Sequence, residues 1–69
     1  MTVDYVLFQV LEGERHTRKW VCIIRDEDHM RYWRSEQIVG ESTENDDKVK
    51  DEVMDEAFAK FHADISSEL

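Results

Sequence analysis

The stretch NDDKVKDEVMDEAFAKFHADI, residues 45 to 65, decides the fold. Val49, Val53, Met54, Ala57, Phe58, Phe61 and Ile65 recur at the i, i+3, i+4, i+7 spacing. At roughly 100° per residue they gather on one half of a helical cylinder. Asp51, Glu52, Asp55, Glu56 and His62 fall on the other half. Thr43 or Asn45 is placed to cap the helix, and Glu44, Asp46 and Asp47 put negative charge where the helix macrodipole is positive. Neither glycine nor proline follows Ile65, so Ser66 to Leu69 are expected to fray. An apolar stripe of this length needs a surface to lie on, and the residues upstream supply one.

Val3 to Leu11 (VDYVLFQVL), Arg18 to Arg25 (RKWVCIIR) and His29 to Val39 (HMRYWRSEQIV) are rich in β-branched and aromatic residues and read as strands. The third is expected to bulge or break near Ser35. Glu12 to Thr17, with Gly13, and Asp26 to Asp28 read as turns. The chain has no proline, no internal repeat and no composition shift that would mark a second domain. The expected architecture for residues 1 to 69 is a single α+β domain in the order β-β-β-α. It is a three-stranded antiparallel meander with one amphipathic helix, about 45 to 65, packed on one face.

Closing both hairpins tightly places Val10 opposite Trp20, Phe8 opposite Cys22 and Val6 opposite Ile24, with Met30 and Tyr32 beside them. This face would meet the helix, with Phe58 and Phe61 under Phe8, Trp20 and Ile24. The other face would then carry Tyr5, Leu7, Leu11, Val21, Ile23 and Trp33, framed by Lys19, Arg25 and Arg31. A one-sided antiparallel sheet in water alternates apolar and polar residues, and these strands do not. A homodimer or heteromer contact through Tyr5, Leu7, Val21, Ile23, Arg31 and Trp33 is therefore expected, with the chain's own tails as the remaining possibility.

Below about 70 to 80 residues a single core rarely supplies more than about 3–5 kcal/mol, which also favours a partner. The lone cysteine, Cys22, excludes an internal disulfide and sits in an apolar run, as a buried thiol does. No stretch approaches the ~18 apolar residues of a membrane span and no basic segment precedes an apolar one at the N-terminus, so a cytoplasmic protein is expected. The formal net charge is −8, unevenly spread. Residues 1 to 40 hold six bases against seven acids, and residues 41 to 69 hold three against ten. The acidic half repels nucleic-acid phosphates and attracts a basic partner.

Signs of catalysis are weak. His16, His29 and His62 fall in a turn, at a strand start and on the polar side of the helix. Asp26, Glu27, Asp28 and His29 lack the alternating oxygen ligands, central glycine and distant glutamate of an EF-hand loop. Ser35, Ser42, Ser66 and Ser67 have no nucleophile motif around them, and two glycines leave no phosphate loop. No cofactor, metal or catalytic residue is expected.

Gly13-x-x-His16-x-x-x-Trp20, joining two strands ahead of a helix, resembles the double-stranded-RNA-binding domain. In that family a loop of this form reaches the RNA minor groove and the last helix opens with phosphate-gripping lysines. Gly13, His16 and Trp20 match, whereas Glu14 stands in place of the family's proline, its first helix is missing, and Asp46 and Asp47 precede the lone pair Lys48 and Lys50. The β-β-β-α order also resembles the small antitoxin domains of the HicB type.

The expectation from residues alone is a non-enzymatic interaction domain. Glu44, Asp46, Asp47, Asp51, Glu52, Asp55 and Glu56 would be displayed to a basic protein, such as a nucleic-acid-binding complex. In its sharper form the acidic face imitates phosphates and inhibits that complex, as phage inhibitors of restriction or CRISPR complexes do. The alternatives are a nucleic-acid-binding module using Arg15, His16, Arg18, Lys19, Arg31 and Arg34, which the net charge opposes, and an antitoxin-like domain.

Overall fold

The computed structural model describes residues 3–13, 17–40 and 42–68. Three antiparallel strands, β1 (Val3–Glu12), β2 (Thr17–Asp26) and β3 (Arg31–Gly40), form one sheet in the order β1-β2-β3. A single C-terminal helix, α1 (Asp46–Glu68), packs over β2 and β3. This is the expected β-β-β-α fold. Glu14, Arg15, His16 and Leu69 lie outside the described residues.

The register differs from expectation at both hairpins. Leu7 pairs with Cys22 and Phe8 with Val21, one residue away from the tight-hairpin pairing. Residues 13 to 16 separate the first two strands, and Gly13 takes φ +73°, which a glycine adopts without a Cβ clash. At the second hairpin the turn is Glu27 to Met30 rather than 26 to 28, with Met30 at φ +54°, so His29 and Met30 belong to the turn. Trp33 consequently pairs with Ile24 and Ser35 with Cys22. Successive strand residues point to opposite faces, so each odd slip exchanges the faces of a whole strand. Tyr5, Leu7, Arg31 and Trp33 therefore turn to the helix side, while Val6, Phe8, Val10 and Tyr32 turn outward, the reverse of expectation. Val21 and Ile23 do lie on the outer face.

The core consists of Cys22, Ile24 and Trp33 from the sheet and Val49, Val53 and Ala57 from the helix, flanked by Leu7, Trp20, Val39, Met54, Phe58 and Phe61. Trp33 meets Phe61 edge to face, with ring centroids 4.9 Å apart, and its indole N–H donates to Asp64. Phe58 meets Tyr5 edge to face at 5.7 Å rather than Phe8, which is on the far side of the sheet. The irregularity expected near Ser35 falls elsewhere: Arg18 pairs with Gly40 and Lys19 with Ile38, leaving Val39 as the extra residue of a bulge. Gly40, at φ +71°, then turns the chain towards the helix.

Asn45 stands just before the helix as expected, but neither its side chain nor that of Thr43 makes a capping hydrogen bond among the described residues. The Asn45 carbonyl accepts the Val49 N–H at 3.0 Å, the Thr43 carbonyl accepts the Asp46 N–H at 3.2 Å, and Ser42 Oγ accepts the Glu44 N–H at 3.2 Å. The far end is longer than expected. The helix continues through Ser66 to Glu68, and Ser67 Oγ donates to the Asp64 carbonyl at 2.8 Å.

Candidate interaction surfaces

The helix and the outer sheet face form opposite sides of the molecule and differ in chemistry. On the helix side, Asp47, Asp51, Glu52, Asp55 and Glu56 are all exposed, and Glu44 is exposed in the segment leading in. Lys50 reaches Asp47 at 3.7 Å and Lys60 reaches Glu56 at 3.9 Å. Among the described residues no cation lies within ion-pair distance of Asp51, Glu52 or Asp55. No direct ion pair relieves their mutual repulsion, although Lys48 lies one turn away, so a basic surface would gain attraction at each of them.

Asp46 departs from this group. Its carboxylate turns inward and accepts two hydrogen bonds from Arg18, at 2.7 and 3.0 Å. The Arg18 guanidinium holds its carboxyl below the usual carboxylate range against a smaller opposing effect of burial. Asp64, which played no part in the sequence reading, is likewise used within the fold, as acceptor for Trp33.

The bases are similarly committed. Arg25 holds Asp4 through two hydrogen bonds, at 2.8 and 3.2 Å, and these lower the Asp4 pKa. Arg34 and Lys19 approach Glu36 at 2.8 and 3.5 Å, and Arg31 approaches Asp26 at 3.3 Å while its guanidinium lies over the Trp33 ring. Of the six bases assigned to a nucleic-acid-binding reading, Arg18, Lys19, Arg31 and Arg34 are thus in internal pairs, and Arg15 and His16 lie outside the described residues.

The outer sheet face is apolar at its middle, with Lys19, Arg25, Arg34 and Glu36 around it. Val6, Phe8, Tyr32 and Ile38 are 52, 39, 69 and 62 % exposed, around a fully buried Val21 in the middle strand. Of the contact residues expected on this surface, Val21 and Ile23 lie there, framed by Lys19 and Arg25 as expected. Tyr5 is half exposed on the helix side at the edge of the core, Leu7 is half-buried there, Arg31 is engaged with Asp26, and Trp33 is buried. No feature of the sequence marked Phe8 as outward and Trp33 as inward, since both lie in strands that are apolar on both faces.

Two buried polar side chains remain, Ser35, whose Oγ has no hydrogen-bond partner among the described residues, and Asp26. The Asp26 side chain is fully buried, with Oδ2 bonded to His29 Nδ1 at 2.9 Å and to Arg31 at 3.3 Å, and with Oδ1 lacking a hydrogen-bond partner among the described residues. Burial pushes its pKa up, but the bonds from His29 and Arg31 outweigh that and the net direction is down. This Asp–His pair sits at the hairpin tip. Cys22 is four residues along β2, about 13 Å away at ~3.3 Å per residue, and burial raises its thiol pKa, so it is not within reach as a nucleophile. Among the described residues no three His, Cys, Asp or Glu side chains converge as a metal site. No described helix is long and apolar enough to cross a membrane.

The chain matches no known protein family, no curated protein and no solved structure.

Proposed function

We propose that this is a non-enzymatic protein–protein interaction domain whose acidic helix face binds a basic surface of another protein. The observation that carries the reading is the trio Asp51, Glu52 and Asp55, exposed together and without an ion-pair partner among the described residues, while the bases of the sheet are held in internal pairs. From Asp47 to Glu56 five acids, interrupted by Lys48 and Lys50, span about 14 Å at ~1.5 Å per residue, a net of three negative charges or one per ~4.7 Å. A DNA strand carries one charge per ~3.4 Å of axis. The face is a sparser line of negative charge than a DNA strand but of the same sign, which supports the sharper reading of a phosphate mimic that inhibits a nucleic-acid-binding complex, of the kind phage use against restriction or CRISPR systems. Such a complex places the working protein in the cytoplasm of a host cell.

The test is affinity capture from native host lysate on the wild-type chain and on the triple variant Asp51→Lys, Glu52→Lys, Asp55→Lys, with circular dichroism confirming that both fold. A basic, nucleic-acid-binding protein retained by the wild type, lost on the triple variant and displaced by excess duplex DNA is the expected result. Contacts of this kind weaken steeply with salt, because the association is steered by charge. Equal retention by the triple variant would overturn the acidic-face mechanism.

A further inference from the structure

We infer that the outer face of the sheet is the interface with a second copy of this chain, packed face to face about a twofold axis that runs across the strands. The inference stands apart from the helix face and rests on the register. Two cross-strand trios are adjacent at the middle of the outer face: Val6, Ile23 and Arg34, then Phe8, Val21 and Glu36. An axis lying in the plane between the sheets, across the strands and midway between these trios, exchanges them. Val6 then meets Phe8 of the second copy, Ile23 meets its Val21, and Arg34, which pairs with Glu36 of its own chain at 2.8 Å, meets the second copy's Glu36, so that the two pairs join as four alternating charges. Each charge contact occurs twice, because a twofold interface is isologous.

The ends of the face fit the same operation. Tyr32 lies beyond one trio and Ile38 beyond the other, so Ile38 of one copy comes over Tyr32 of the other, at a shallow hollow floored by Ile23 and edged by Arg25, Met30 and Tyr32. Arg25 and Lys19 also come together, but each already has carboxylates beside it, Asp4 and Glu27 for the first and Glu36 for the second. Tilting the axis by about 15° gives the ~30° strand crossing at which aligned sheets pack.

Area is sufficient. Three ten-residue strands, at ~3.4 Å per residue and ~4.8 Å between strands, make a face of about 480 Å² per copy before side-chain relief is counted. Two such faces give about 960 Å² before that relief, which brings them to the ~1,000 Å² that a specific interface needs while leaving them below the standard size. The dimer has helix, sheet, sheet and helix as successive layers, with the two acidic faces on opposite outer surfaces.

Sedimentation equilibrium at micromolar concentration tests this with two single variants. The Arg34→Glu chain carries two acids at positions 34 and 36, and the Glu36→Arg chain carries two bases. Each should raise its own dimer Kd by about tenfold or more, through like charges placed opposite each other. Mixed in equal amounts they should restore a species of dimer mass, because both contacts become attractive in the heterodimer. Phe8→Glu should give a folded monomer that no mixing rescues. A wild-type chain that sediments as a monomer would overturn the proposal and leave this face to a different protein. So would a pair of charge variants that fails to associate on mixing, or a Phe8→Glu dimer.

Discussion

Arg18, near the start of the middle strand, grips Asp46 in the first turn of the helix through both terminal nitrogens, at 2.7 and 3.0 Å. The same guanidinium donates to the Gly40 carbonyl at 3.1 Å and to the Ser42 carbonyl. One side chain thus ties the end of β3, the connecting segment and the helix N-terminus to the sheet. An arginine suits this place because its planar fork presents several donors in fixed directions, and a carboxylate in the first helical turn also meets the positive end of the dipole.

Removing either partner should therefore loosen helix docking rather than the sheet. Arg18→Ala and Asp46→Ala are each expected to lower the melting temperature, and the double variant to lie close to the poorer single variant, because both changes remove one shared contact. Thermal unfolding of the four proteins followed by circular dichroism measures the coupling. Additive losses would show that the two residues act independently.

The acid limb of stability has a defined sign. Asp4, Asp26 and Asp46 are held below their ordinary pKa in the folded chain, so the unfolded chain binds more protons in acid. Their contribution is fully present above the unfolded value of about 4 and is lost as pH falls through the lower folded values. Urea midpoints should be level down to about pH 5 and drop below about pH 4. Asp26→Asn should be less stable at neutral pH and show a shallower acid drop. An acid limb identical to that of the wild type would remove Asp26 from the account.

Core and outer-face substitutions should separate the two sides of the sheet. Val53 is fully buried at the centre of the helix contact, and Val53→Ala should cost about 2–3 kcal/mol, a large share of what a chain of this size has. Phe8→Ser, measured at a concentration low enough to keep the chain monomeric, should leave the melting temperature nearly unchanged, although phenylalanine is the larger side chain. Chemical denaturation of both variants checks this. A greater loss at Phe8 than at Val53 would mean that the strand sits in the other register.

Much of this architecture is written locally. The helix from about residue 45 follows from the spacing of Val49, Val53, Ala57 and Phe61, because a period of 3.6 has one phase that buries all four and no other. The three strands follow from β-branched and aromatic runs punctuated by turn residues, and the acidic outer side of the helix follows from the same helical phase. The acids' separate fates do not. Asp46 and Asp51 look alike in the sequence, and only the closeness of Arg18, 28 positions away in the chain, turns one inward.

The faces of the strands were a matter for the tertiary structure. A period of two specifies which side is buried only when the two sides differ, and in VDYVLFQVL the set Val3, Tyr5, Leu7 is as apolar as the set Val6, Phe8, Val10. The choice then passed to the turns, where Gly13 and Met30 take positive φ and the loop lengths shift each pairing by an odd number of residues. That shift moved Trp33 under Phe61 and Phe8 to the open face. Local pattern determined which segments form elements and that both sheet faces are apolar; turn geometry and helix packing, which act over the whole chain, decided which face is core and which faces outward.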